Sequence, residues 1–111
     1  MSDMMSDRRI DPRYPLILHA TVENLASGAK LDCRTSDISR TGCYIDTRKP
    51  FSSGTVIRVK LTQGRETIEV QGIVKYVSAG LGMGVRFADP VPAKQFAILQ
   101  GWLEAAARQP A

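Results

Sequence analysis

Between residues 16 and 87 apolar and polar side chains alternate in successive short runs, the period of strands that bury one face. Leu16, Leu18, Ala20 and Val22 alternate with Ile17, His19, Thr21 and Glu23, and the Ala26-Ser27-Gly28 stretch after them reads as a turn. Leu31, Cys33 and Thr35 then alternate with Lys30, Asp32 and Arg34, and Cys43-Tyr44-Ile45 forms a short third strand. Pro50-Phe51-Ser52-Ser53-Gly54 is a loop, after which Ile57, Val59 and Leu61 alternate with Arg58 and Lys60. Beyond Gln63-Gly64 a long strand carries Ile68, Val70, Val74 and Tyr76 on one face, with Gly72 a candidate bend or bulge. The last strand places Met83, Val85 and Phe87 on one side and Arg86 on the other.

The period then changes. Asp89-Pro90-Val91-Pro92 punctuates the chain, and Phe96, Leu99, Leu103 and Ala106 recur at helical spacing in a segment that ends before Pro110. Such a helix has an apolar face and must cover something, here one mouth or side of the sheet. Short strands followed by a single helix fit a closed antiparallel barrel better than an α/β sheet. Met1 to Arg13 is polar and charged, with little reason to fold alone. The expected organisation is a flexible segment over residues 1–13, a β-barrel over 14–90 and a packed helix over 91–108.

Composition narrows the partners. A length of 111 residues and an apolar fraction of 43% leave room for one globular domain with one core. The formal net charge of +4 favours anionic partners: nucleic acid, an acidic lipid surface or a small phosphorylated ligand. Cys33 and Cys43 lack CxxC spacing and His19 is the only histidine, so no metal site is expected. No apolar run approaches the roughly 20 residues that span a bilayer. Met1 to Asp7 has no hydrophobic region resembling a signal peptide, so a cytoplasmic setting is expected.

Two short stretches concentrate the chemistry. Arg9-Ile10-Asp11-Pro12-Arg13 is an RxxxR preceded by Arg8, and Asp37-Ile38-Ser39-Arg40-Thr41-Gly42 is a DxSxxG. A guanidinium fork matches a phosphate or the O6/N7 edge of guanine, and its plane stacks on a base. The second stretch offers a carboxylate for guanine N–H donors, a hydroxyl for phosphate or base, and a glycine where the backbone turns tightly. Asp37 and Ser39 can equally stabilise their own turn.

In this order, with two strands between them and the glycine-rich Gly82-Met83-Gly84-Val85-Arg86-Phe87 late in the chain, these motifs resemble those of the PilZ domain family. The resemblance runs from Arg8 to Leu103. It implies an all-β fold, a six-stranded antiparallel barrel with a C-terminal helix, whose arginine loop closes over cyclic diguanylate (cyclic di-GMP). Arg8, Arg9, Arg13, Asp37, Ser39 and Gly42 are the ligand-binding residues it implies, with one ligand or an intercalated pair per chain. No other cofactor is expected, and the signal would pass to an effector protein that the sequence does not name.

Three other readings are weaker. Catalysis lacks a base, since His19 lies far from Ser39 with no third partner. A small basic barrel could bind RNA or single-stranded DNA, but the aromatic residues are scattered, mostly at core-like positions, and form no paired stacking platform. A ligand-blind, PilZ-like interaction module is the third, and members of that kind have degraded motifs, whereas both are complete here.

Overall fold

The alternating segments become six strands in a computed structural model that describes residues 12–108. They are β1 (His19–Asn24), β2 (Lys30–Ile38), β3 (Gly42–Asp46), β4 (Val56–Gln63), β5 (Glu66–Ser78) and β6 (Gly82–Phe87), followed by helix α1 (Ala93–Ala107). All pairings are antiparallel, in the order β1-β2-β3-β6-β5-β4, and β4 pairs back onto β1 to close the barrel. Gly64, at a φ of 60° in the tight β4–β5 turn, adopts the left-handed conformation that such a turn favours in glycine. The inward set is the apolar half of each pattern: Ala20 and Val22, Ile57, Val59 and Leu61, Ile68, Val70 and Val74, Met83, Val85 and Phe87 are all buried.

The strand expected from Leu16 begins three residues later. Leu18 is still buried, but the chain before it is held by a side chain and not by a regular ladder. The fully buried Thr35 hydroxyl donates to the Leu16 carbonyl at 2.7 Å and accepts from the Leu18 N–H at 2.9 Å. Pro15 has no N–H to give to a ladder, which leaves this polar bridge as the local solution.

Two register shifts interrupt the alternation. One lies in β2 between Thr35 and Asp37, opposite β3; the other lies in β5 between Val74 and Tyr76, opposite β6. An extra residue in one strand of a pair reverses the facing of the residues after it. In β2 the shift sends Ile38 into the core and leaves Asp37 outside. In β5 it turns Tyr76 out, 52% exposed, where strict alternation with Ile68, Val70 and Val74 would place it in the core.

Helix α1 owes little to its own ends. Pro92 at its N-cap makes no side-chain cap, and neither an acidic first turn nor a basic last turn complements the dipole. Tertiary contacts hold it instead. Leu99, Trp102 and Leu103 join the barrel core, and the Trp102 indole N–H donates to Glu66 Oε1 at 2.8 Å. β5 runs past β6, whose pairing with it begins only at Gly72, and Gln95 Oε1 accepts the Glu69 N–H at 2.9 Å in the vacated edge. No helix among the described residues is long and apolar enough to cross a membrane.

The helix is thus part of the barrel core, which fixes an expectation. Leu99→Ala should destabilise the fold by about 2 to 5 kcal/mol in urea titrations, whereas Ile17→Ala, at a residue 68% exposed, should shift the midpoint little. Equal effects of the two would contradict this account.

Candidate ligand-binding site

The polypeptide before β1 is tied to the end of β2 by one antiparallel bridge. Tyr14 N–H donates to the Ile38 carbonyl at 2.9 Å, and the Tyr14 carbonyl accepts from the Ile38 N–H at 3.0 Å. This anchors Arg13 beside the outward-turned Asp37. Arg13 Nε and Nη2 both donate to Asp37 Oδ1, at 2.9 and 2.6 Å, so halves of two motifs separated by 24 residues meet directly. The side chains are 46% and 34% exposed, so the pair contributes no more than about 1 kcal/mol to stability. Among the described residues, Asp37 Oδ2 and the other guanidinium donors have no partner.

Ser39 is placed differently. It is 1% exposed, and its hydroxyl lies 3.3 Å from Thr41 Oγ1, accepts from the Thr41 N–H at 3.2 Å and donates to the Gly42 carbonyl at 3.4 Å. With Ser39 N–H donating to the Gly42 carbonyl at 2.8 Å, the serine shapes the turn that joins β2 to β3. Gly42 is required by close approach of strands: a Cβ there would stand 2.1 Å from the Val85 carbonyl oxygen. Arg8 and Arg9 lie outside the described residues.

Beside the Arg13–Asp37 pair is an open depression lined by Arg13, Thr41, Gly42, Lys75, Tyr76, Gly84 and Arg86. Sequence reasoning misses Tyr76 because alternation places the ring inside. The available signal is glycine at position 84, since the Tyr76 ring lies where a Cβ at Gly84 would be, 2.1 Å from Cε1. Behind this surface, burial raises the Cys43 thiol pKa to about 12, with Arg13 lowering and Asp37 raising it. Burial, then Asp32 and Asp46, raises Cys33 to about 11. Both thiols are therefore held protonated at neutral pH.

Residues 7–105 match the PilZ domain family, and the chain belongs to that family. Its fold is similar to that of the inhibitor of motility MotI/DgrA from Bacillus subtilis, with 17% identity, a TM-score of 0.74 and coverage of 93% of this chain and 53% of that one. It is equally similar to the PilZ domain of YcgR from Escherichia coli, solved with cyclic di-GMP, with 19% identity, a TM-score of 0.74 and coverage of 91% and 92%. The PilZ domain of CeSA from a cellulose-synthesizing bacterium matches at 19% identity and a TM-score of 0.67, over 84% of this chain and 98% of that one. The chain thus spans about half of the Bacillus protein and nearly all of the two isolated domains. No curated protein matches it by sequence.

Two outcomes follow from this geometry. Gly42→Ala should destabilise the fold by about 3 kcal/mol or more, because the obstructing atom is backbone, and thermal melting would show it. The raised thiol pKa values mean that the fold favours the protonated form. Their contribution to stability is complete below the ordinary value of 9.0 and lost as pH rises through about 11 and 12. Unfolding midpoints should fall across that window in the wild type and less in a Cys33→Ser/Cys43→Ala variant.

Proposed function

We propose that the chain is a receptor for cyclic diguanylate, which answers the ligand with a change in loop conformation and surface charge that a partner protein reads. The observation that carries this reading is the direct contact of Arg13 with Asp37, one residue from each motif, at the rim of an open depression lined by further cations. Membership of the PilZ family supports it, as does the similarity to the YcgR domain solved with cyclic di-GMP.

In this reading Asp37 aims the Arg13 guanidinium, whose remaining donors take a phosphate or a guanine edge, while Asp37 Oδ2 accepts a guanine N–H. Ser39 and Gly42 act through the turn, one by its hydroxyl and the other by its missing Cβ. Arg8 and Arg9 add guanidinium groups from the segment before Pro12, which folds over the ligand. Ordering that segment costs about 1 to 2 kcal/mol per residue in backbone entropy, offset by charge-assisted contacts of about 1.5 to 3 kcal/mol each. A third arginine in the loop suits an intercalated ligand pair. Its four phosphate charges would balance the formal +4 of the chain and leave the surface a partner meets far less basic.

Titration calorimetry with cyclic diguanylate tests the proposal, with GTP, linear diguanylate and cyclic AMP as comparisons. Saturable binding of the cyclic dinucleotide alone is expected. Arg13→Ala and Arg9→Ala should each weaken it about 100-fold or more, with melting of the free protein nearly unchanged for Arg13→Ala. Arg8→Ala should weaken it partly and lower the stoichiometry from two toward one. Absence of heat at high micromolar ligand, together with salt-sensitive binding of oligonucleotides, would replace this reading with nucleic-acid binding.

A further inference from the structure

The first half of β2 has a strand on one side only. Asn24 N–H donates to the Ala29 carbonyl at 2.8 Å and Thr35 N–H to the Leu18 carbonyl at 3.0 Å, and between these bonds β2 runs in register with β1 from Lys30 to Arg34. Residues 29, 31, 33 and 35 therefore direct their backbone groups to β1, and by alternation Lys30 and Asp32 direct theirs the other way. Nothing among the described residues hydrogen-bonds to them there. Pairing with β3 begins at Arg34, opposite Asp46, and the Thr47 N–H then donates to the Leu81 carbonyl at 3.1 Å, which carries the chain off toward the β5–β6 turn. The N–H and C=O groups of Lys30 and Asp32 are left on an open edge, whereas the overhang of β5 is met by Gln95.

The side chains along this edge are self-complementary. Lys30 and Asp32 project from the outer face on either side of the half-buried Leu31. Asp32, with its side chain 79% exposed, meets His19 Nε2 at 3.0 Å and the Thr21 hydroxyl at 3.3 Å through Oδ1 alone, and Lys30 has no ion-pair partner among the described residues. A two-fold axis through Leu31 sets Lys30 of each copy opposite Asp32 of the other, and Leu31 opposite Leu31. The hydrogen-bond phase agrees with the charges. Every open N–H meets an open carbonyl in the Lys30–Asp32 pairs, while the leucines form the non-hydrogen-bonded pair, in which side chains approach most closely. We infer that a second copy of this chain adds to β2 in antiparallel register centred on Leu31, forming a two-fold dimer held by backbone hydrogen bonds and reciprocal Lys30–Asp32 pairs. Such a contact uses up both edges and stops at two copies. Backbone pairing over so few residues buries less than the roughly 1,200 Å² at which standard interfaces begin, so the dimer is weak and concentration-dependent. Asp37 follows Leu31 on the same strand, so the two copies of Asp37 stand about 40 Å apart at opposite ends of the paired strands and both ligand sites stay open. The competing account is that charges on an edge strand serve only to deter strand addition.

Sedimentation velocity separates these accounts: the full chain, taken from about 10 μM to about 1 mM, should pass from monomer into dimer. Lys30→Asp and Asp32→Lys each set like charges opposite one another and should weaken self-association about 10-fold or more. Mixed together, the two variants are complementary and should pair with each other, and the exchange Lys30→Asp/Asp32→Lys should restore the dimer. In a Cys33→Ser/Cys43→Ala background, Leu31→Cys stands opposite its own copy and should form an inter-chain disulfide on mild oxidation. Lys60→Cys, at a more exposed position on the outer face of β4, should form little. A chain that is monomeric throughout, or single variants that associate as the wild type does, would overturn the dimer and leave Lys30 and Asp32 as guards of the edge. Failure of the folded exchange variant to recover association would do the same, as would equal cross-linking at positions 31 and 60. If Leu31→Cys fails to fold in that background, the charge exchange decides alone.

Discussion

Pleating leaves a closed barrel little freedom in what it shows to solvent. Four strands are paired on both sides along most of their length, and β2 and β5 pass from one neighbour to the next, so the facing of each residue is set by its neighbours, and a slip of one position would exchange the core with the surface. The only inexpensive way to bring a chosen side chain outside is to add a residue to one strand, and this fold does so in β2 and again in β5. Asp37 and Tyr76 owe their positions to those two insertions. So does Ile38, whose burial in turn allows its backbone to hold Tyr14 and, through it, Arg13. The surface chemistry is therefore tied to the core at two points.

The elements are legible because both periods are clean. Ile57, Val59 and Leu61, or Leu99 and Leu103, declare strand and helix without help from the rest of the chain. A change of phase is not legible in the same way. Alternation through Thr35 places Asp37 inside, and only the motif marks it as functional; Tyr76 has no motif, and alternation assigns it to the core. A bulge depends on what the opposing strand offers, here Tyr44 and Gly84, which lie distant in sequence. Leu16 fails for a similar reason, since the hydroxyl that interrupts its pairing belongs to Thr35. Of the motif residues, Ser39 shows how a sequence pattern merges two kinds of constraint: its hydroxyl is committed to the turn, while Asp37 beside it keeps one carboxylate oxygen unengaged among the described residues.

Net charge enters the same picture through geometry. Two surface cations elsewhere on the barrel are matched, Arg58 by Glu23 at 3.2 Å and Arg34 by Asp46 at 3.6 Å. Such exposed pairs add little stability, but they keep those faces close to neutral. Lys75 and Arg86, which line the depression beside Arg13, lack this compensation among the described residues, so that depression stays positive.

The overhang of β5 past β6 carries a different consequence. Its first residues would present bare backbone donors and acceptors to solvent if α1 were not laid along them, with Gln95 and Trp102 as the attachments. An uncovered edge of that kind is a template on which a second copy can add a strand, and a third can join the second. The C-terminal helix is in this sense a guard against polymerisation. A chain shortened before Pro92 would lose it and be left to assemble into sheets or be cleared by proteolysis, whatever the state of its ligand site.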